Sequence, residues 1–319
     1  MGLRSPTTDR RPATVDRASI RVRSYAKINW TLDVIFKRED GFHELRTIYQ
    51  TVSLHDRLRI SATSNAIEIT CDDSRVPTDE TNLVHRAATA LRRAAGVRAG
   101  ARVEIEKRIP VAAGLGGGSS NAAASLLGLA RLWQVEVGER ELVELAMDLG
   151  SDVPFFLVGG TALGVGRGEE VYPIEQAGCE HLLLVNPGFA VSTAAAYGKL
   201  SRLTRPETPR IIPFTLFAAK AALPLAASND LESVVSAAHP EIAELKLRLL
   251  GLGAQHALMS GSGATVFGVF DNSGASERAE SEMRAAGYWA ARARAISRQE
   301  YKDTIFGWAG EPSQSTCGD

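Results

Sequence analysis

The segment with the most chemical promise runs Pro-Val-Ala-Ala-Gly-Leu-Gly-Gly-Gly-Ser-Ser-Asn over residues 110–121. Three of its glycines, Gly116, Gly117 and Gly118, are consecutive, and glycine adopts backbone torsions that other residues resist. It also lets backbone N–H groups come close to a ligand. A stretch with helical character and almost no charge follows at once over residues 119–133. The free N–H groups and positive dipole end of such a helix would face the loop. Together these features make an anion site suited to phosphates, with Ser119 and Ser120 adding hydroxyl donors. No Gly-Lys-[Ser/Thr] closes the loop, so it is not a Walker A sequence. It also lacks the βαβ context and later acidic residue of a dinucleotide fingerprint. The competing reading is a plain glycine turn with a serine helix cap.

Two charged residues stand out beside the loop. Asp152 follows Gly150 and precedes Val-Pro-Phe-Phe at 153–156. An apolar flank desolvates a carboxylate and makes it a better proton acceptor. On these residues alone, a turn or cap role after a helix-ending glycine is the favoured reading. Lys27 is one of only seven lysines against 29 arginines, and it sits in an otherwise apolar strand. Its plainer reading is a solvated strand-edge charge. Phe42 and His43 follow an Asp40-Gly41 turn signal, where simple packing is the default. No carboxylate cluster or His/Cys constellation marks a metal cage. His55, His85, His181, His239 and His256 have no cofactor spacing.

The elements that must position these residues follow from periodicity. Residues 19–24, 28–36, 45–54, 58–60 and 66–71 read as strands, with β-branched residues and alternation. Residues 82–95 have helical spacing at Leu83, Ala87 and Leu91. Residues 102–107 alternate Val103 and Ile105 with Glu104 and Glu106, a strand. The helix predicted over 119–133 has almost no charge on any face and is expected to be buried. A further amphipathic helix over 139–149 stops at Gly150. In the second half, strands are predicted over 181–185, 256–259, 265–270 and 289–297. Helices are predicted over 214–223, 230–238, 241–250 and 276–286, with Pro240 in a first turn. Residues 204–212 read as an Arg- and Pro-rich connection. Strands and helices mix without steady βαβ alternation, which favours α+β.

The 319 residues suggest two domains, divided between Gly160 and His181: residues 19–170 and 171–309, between disordered tails at 1–18 and 310–319. The net charge of −1 argues against a protein that coats nucleic acid, and Arg10 and Arg11 read as solvated. Cys71, Cys179 and Cys317 are too few and too scattered for a disulfide framework, so a reducing, cytoplasmic setting is expected. The uncharged run over 112–130 contains five glycines and reads as loop and helix, so no membrane span is expected. The first 23 residues carry six arginines but no apolar core of a secretory signal, and Asp9 and Asp16 count against a transit peptide.

Three segments in order resemble the GHMP kinase superfamily: Ser-Tyr-Ala-Lys-Ile-Asn at 24–29, the glycine-rich loop, and Met-Ser-Gly-Ser-Gly-Ala at 259–264. Within it, Arg-Glu-Asp-Gly-Phe-His-Glu-Leu at 38–45 and Gly-Ser-Asp-Val-Pro-Phe-Phe at 150–156 resemble the branch whose acceptor is 4-diphosphocytidyl-2-C-methyl-D-erythritol. The resemblance spans about residues 19–297. It implies an ATP-binding N-terminal domain, a ferredoxin-like α/β sandwich after it, and an active site in the cleft between them. It implies ATP and Mg²⁺ as cofactors and phosphorylation of the acceptor's 2-hydroxyl. Asp152 then becomes the catalytic aspartate and Lys27 the lysine that pairs with it.

The ATP site would comprise Pro110, Gly114, Leu115, Gly116, Gly117, Gly118, Ser119 and Ser120, with Asn82 and Leu83 near the adenine. Asn29, Phe42, His43, Lys107, Ser192, Thr193 and Tyr197 would bind the acceptor. Phe42 and Tyr197 would sandwich the cytosine, and Phe42 stands where the family more often has tyrosine. Ser120 and Asp152 come into consideration for Mg²⁺, without an assigned site. Homoserine or mevalonate acceptors have no base to stack between Phe42 and Tyr197. The presence of both Lys27 and Asp152 speaks against a non-catalytic regulator.

Overall fold

The computed structural model describes residues 19–176, 178–200 and 227–307. The connection predicted at 204–212, the helix predicted at 214–223, both tails and Cys317 lie outside these. Alternating β-branched and apolar residues build one long strand, β1 (Ile20–Lys37), where the sequence pattern suggested two. It pairs antiparallel with β2 (His43–Thr63). Register shifts at Tyr25/Ala26, Asn29/Thr31 and Val34/Phe36 keep the pair continuous. Such irregularities bend a ribbon and blur the period of two that marks a single strand in sequence.

Around this ribbon grows a seven-stranded sheet. Its path includes β3 (Ile67–Cys71) and β4 (Gly100–Glu106) outside β2. Strands β5 (Thr161–Gly166) and β6 (Glu170–Pro173) add to the other part of β2. Three helices accompany the sheet: α1 (Leu83–Ala94), α2 (Gly117–Trp133) and α3 (Glu139–Leu149). Helix α2 has no charged residue before Arg131, and it buries Ser120, Asn121, Ala122, Ala123, Ala124, Ser125 and Leu126, then Gly128 and Leu129. It lies so close to the sheet that a Cβ on Gly128 would stand 2.5 Å from Ile60 Cδ1. The single turn α4 (Phe155–Val158) follows Asp152 and buries Phe155 and Phe156.

The second half forms a four-stranded antiparallel sheet from β7 (Leu182–Asn186), β9 (His256–Met259), β10 (Val266–Val269) and β11 (Trp289–Ala293). Its spatial order is β11-β7-β10-β9, or fourth-first-third-second. Helices α5 (Thr193–Leu200), α6 (Asp230–Ala238) and α7 (Glu241–Gly251) come between the first and second of these strands. Helix α8 (Ser273–Ala285) comes between the third and fourth. This is the ferredoxin-like arrangement, and the fold is the two-domain α+β architecture expected.

The two halves share apolar surface. Ala26, Ile28 and Trp30 of β1 join one buried cluster with Leu182, Leu184 and Phe267. Trp30 and Phe267 meet edge to face at 5.5 Å. A short strand, β8 (Ser228–Asn229), pairs with β1 at Thr31 and Leu32. After the second sheet the chain returns to the first core through α9 (Arg298–Thr304), whose Tyr301 hydroxyl donates to the Phe156 carbonyl. Beyond β1, the elements without a clear sequence signal are α4, β5, β6, α5 and α9. They are short, or rich in glycine or alanine, so neither period has room to develop.

Candidate active site

A cleft of about 780 Å³ is lined by both halves of the molecule. Its floor is the glycine-rich loop. Gly114 and Gly116 have φ of 76° and 69°, a region that costs other residues strain. A Cβ on Gly114 would stand 2.2 Å from the Ser260 carbonyl oxygen. One on Gly116 would stand 2.8 Å from the Phe156 ring. Gly116 caps α2, which therefore starts two residues earlier than its sequence pattern suggested. Gly117, Gly118 and Ser119 form its first turn and line the cleft. Their positions make a concave, electropositive seat for phosphate oxygens.

The second glycine turn, Ser260-Gly261-Ser262-Gly263, closes against the first. Ser260 Oγ donates to the Gly114 carbonyl at 3.1 Å, and Asn229 Nδ2 donates to the carbonyls of Met259 (2.8 Å) and Gly261 (2.7 Å). A Cβ on Gly261 would stand 3.1 Å from Lys27 Nζ. Each half therefore contributes one glycine turn to the same corner of the cleft.

Lys27 occupies that corner. Strand alternation sends Ala26 and Ile28 into the shared core and turns Lys27 and Asn29 toward the cleft. The Lys27 ammonium lies 3.4 Å from Asp152 Oδ2 and donates to Asn29 Oδ1 at 2.8 Å. Asn29 Nδ2 donates to Thr47 Oγ1 at 2.7 Å, and that hydroxyl donates to the Thr31 carbonyl at 2.6 Å. This chain fixes the orientation of the Asn29 amide and leaves Lys27 little freedom. Asp152 is 32% exposed against 4% for Lys27, so the carboxylate faces the cleft while the ammonium is walled in. The second carboxylate oxygen, Oδ1, accepts from Tyr49 OH at 3.0 Å.

The far end of the cleft is aromatic. His43 and Tyr197 stack with ring centroids 5.3 Å apart and planes 25° from parallel. Burial, then the charge of Lys37, holds the His43 pKa below its ordinary value, so the ring is neutral at pH 7. Its Nε2 is buried without a protein partner. Phe42 precedes the strand and is 51% exposed, with the Arg167 guanidinium 4.8 Å from its ring centre. The rings in direct stacking contact are His43 and Tyr197, and Phe42, expected to face Tyr197 across the cytosine, lines the same end of the cleft. Thr193 also lines this end, its hydroxyl 2.8 Å from that of Ser262.

Several expected residues are directed elsewhere. The Lys107 ammonium lies behind the loop on Asp56 Oδ2 at 2.5 Å and does not line the cleft. Asp56 is fully buried; its oxygens also accept from Asn121 Nδ2 (2.9 Å) and from the N–H groups of Arg108 and Ile109 (2.8 Å each). Ser120 points inward and accepts from Ser24 Oγ at 2.7 Å, because one step along the helix rotates it away from Ser119. Asn82 caps α1, accepting from Val84 N at 2.8 Å, while its neighbour Leu83 does line the cleft. Ser192 accepts from Ala195 N at 3.3 Å and lies outside the lining. Leu115 is buried in the shared core and contributes its carbonyl to Lys27 N. Pro110 also lies outside the lining.

Tyr49, Asp56, Arg167 and Ser262 were missed from the sequence. Tyr49 had a usable signal, since it continues the alternation of His43, Leu45 and Thr47 along β2. The other three needed tertiary contacts. Among the described residues no group of three or more His, Cys, Asp or Glu could hold a metal ion. Asp152 is the one carboxylate lining the cleft among them.

Residues 82–160 match the model of the GHMP kinases N terminal domain, and residues 217–288 that of the GHMP kinases C terminal. The 4-diphosphocytidyl-2-C-methyl-D-erythritol kinase of Bacillus cytotoxicus is 44% identical over 78% of this chain and 87% of its own length. The chain belongs to this family of GHMP kinases. Another member, from Geobacter sulfurreducens, is 42% identical over 87% of this chain and 99% of its own. A crystal structure of 4-(cytidine 5'-diphospho)-2C-methyl-D-erythritol kinase is 37% identical and covers 86% of this chain and 99% of that one, with a TM-score of 0.72. Homoserine kinase from Cytophaga hutchinsonii shares the fold, at 20% identity and a TM-score of 0.66 over 88% of this chain and 96% of that one. Membership makes the protein a kinase. Among the described residues no helix is long and apolar enough to cross a membrane.

Proposed function

We propose that this kinase transfers the terminal phosphoryl group of ATP to the 2-hydroxyl of 4-diphosphocytidyl-2-C-methyl-D-erythritol, giving the 2-phosphate and ADP. This places it in the non-mevalonate route to isoprenoid and terpenoid precursors. The observation that carries the reading is one cleft holding a phosphate seat, a Lys–Asp pair and a stacked aromatic end. Cys71 and Cys179 are free thiols, in keeping with a reducing cytoplasmic setting.

The chemistry runs through Asp152 and Lys27. Asp152 accepts the proton of the acceptor hydroxyl, and the oxygen attacks the terminal phosphorus in line as the bond to ADP breaks. Lys27 stabilises the charge that develops on the attacking oxygen and pairs with Asp152. Gly116, Gly117, Gly118 and Ser119 cradle the phosphates; a Cβ on Gly116 would meet the Phe156 ring and one on Gly117 the Ile109 side chain, so the turn keeps its close packing only with glycine. Mg²⁺, which usually arrives with phosphates and keeps several waters, neutralises phosphate charge when bound, and Asp152 is the carboxylate in reach. His43 accepts or donates at the cytosine edge through its unpartnered Nε2. Phe42, Tyr197, Thr193 and Asn29 complete the acceptor site. Lys107 and Ser120 serve from behind the loop, shaping it through Asp56 and Ser24.

A coupled ADP-release assay tests the assignment. Turnover is expected with the cytidyl acceptor and not with homoserine or mevalonate. Preference for either of the latter overturns the acceptor; ATP binding with no turnover on any of the three overturns the kinase reading.

A further inference from the structure

Tyr49 is buried, with its ring against Phe155 at 4.8 Å between centroids and the Lys27 ammonium 5.7 Å from the ring centre. Only its hydroxyl reaches the reaction corner, where it donates to Asp152 Oδ1 at 3.0 Å. The Gly168 carbonyl lies at 3.4 Å, too long to compete for the single proton. Gly168 itself leaves the room, since a Cβ there would stand 2.4 Å from the Tyr49 oxygen.

We propose that Tyr49 is a positioning residue for Asp152: its hydroxyl holds one carboxylate oxygen, so that the other faces Lys27 and the acceptor hydroxyl. The bond stops rotation of the carboxylate about its Cβ–Cγ bond, which keeps the receiving oxygen in line. Burial, then the charge of Asp152, pushes the Tyr49 pKa well above its ordinary value, so the phenol keeps its proton throughout the working range. It is therefore a donor to the carboxylate and not a second base. The inference rests on the role of Asp152 given above.

The test is Y49F, which removes one oxygen and keeps the buried ring. The expected result is a kcat about tenfold lower with both KM values within about twofold and a thermal midpoint close to wild type. A kcat within about twofold of wild type, or a loss that falls on KM instead, overturns the proposal. D152N and the double variant D152N/Y49F complete a cycle. Because Tyr49 acts through Asp152, Y49F should lower kcat by less than about twofold in the D152N background; a full tenfold loss there overturns the proposal. A D152N enzyme with the kcat of wild type overturns the base assignment instead.

Discussion

The N-terminal half contains two lysine–aspartate pairs that look alike in sequence and differ in kind. Lys107 and Asp56 lie 2.5 Å apart, with side chains 6% and 0% exposed. Four donors reach the two oxygens of Asp56, so no acceptor capacity is left over. Lys27 and Asp152 lie 3.4 Å apart, and the carboxylate keeps a face open to the cleft. A saturated carboxylate can only hold structure together, whereas one with a free lone pair can take a proton. The comparison teaches that a charged pair acquires its role from what is left unsatisfied, not from its residue types.

Substitutions on the two sides should separate these roles. D152N is expected to lower kcat by about 10²–10⁴-fold while the thermal midpoint stays close to wild type. A near-normal kcat, read in the coupled assay, would remove the contrast. D56A leaves Lys107 as a buried, unpaired charge and frees the loop entry. It should cost about 3–5 kcal/mol of stability, seen as a midpoint lowered by about 10 °C in calorimetry. If D56A melts like wild type, the Asp56 pair is not the structural one.

The smallest effect concerns the residue next to Asp56. Burial holds the His55 pKa below its ordinary 6.5, with its Nδ1 against the Ser53 carbonyl. The folded state therefore binds fewer protons there than the unfolded chain. Stability should fall as pH drops through the unfolded value, because only the unfolded state takes up the proton. Melting H55Q and wild type between pH 7.5 and 5.5 should show a shallower loss in H55Q. Equal slopes would assign the pH dependence to other groups.

The degree of legibility follows the same division. Helices α3 and α6 and strand β9 matched their predicted limits, and α1 came within one residue at each end, because their periods are undisturbed. The continuity of β1 was hidden by its register shifts. Lys27, Asp152 and the glycine turns were recognisable because their types and order carry the chemistry. Lys107, Ser120, Asn82 and Ser192, expected at the ligands, each hold a protein partner and lie outside the cleft lining. Motif membership says nothing about which way a side chain turns.

The amino-acid sequence by itself determined the family, the α+β class, the glycine-rich loop and, through the family resemblance, the two side chains proposed to react. These depend on local torsional freedom and on the identity of a few residues. Only the tertiary structure decided that Lys107 turns from the cleft to Asp56, that His43 stacks on Tyr197, and that Tyr49 reaches Asp152 across 103 positions of chain. Those outcomes depend on strand register and on close contact between the two halves. Both are set by the packing of the whole core, and neither is a property of any short segment.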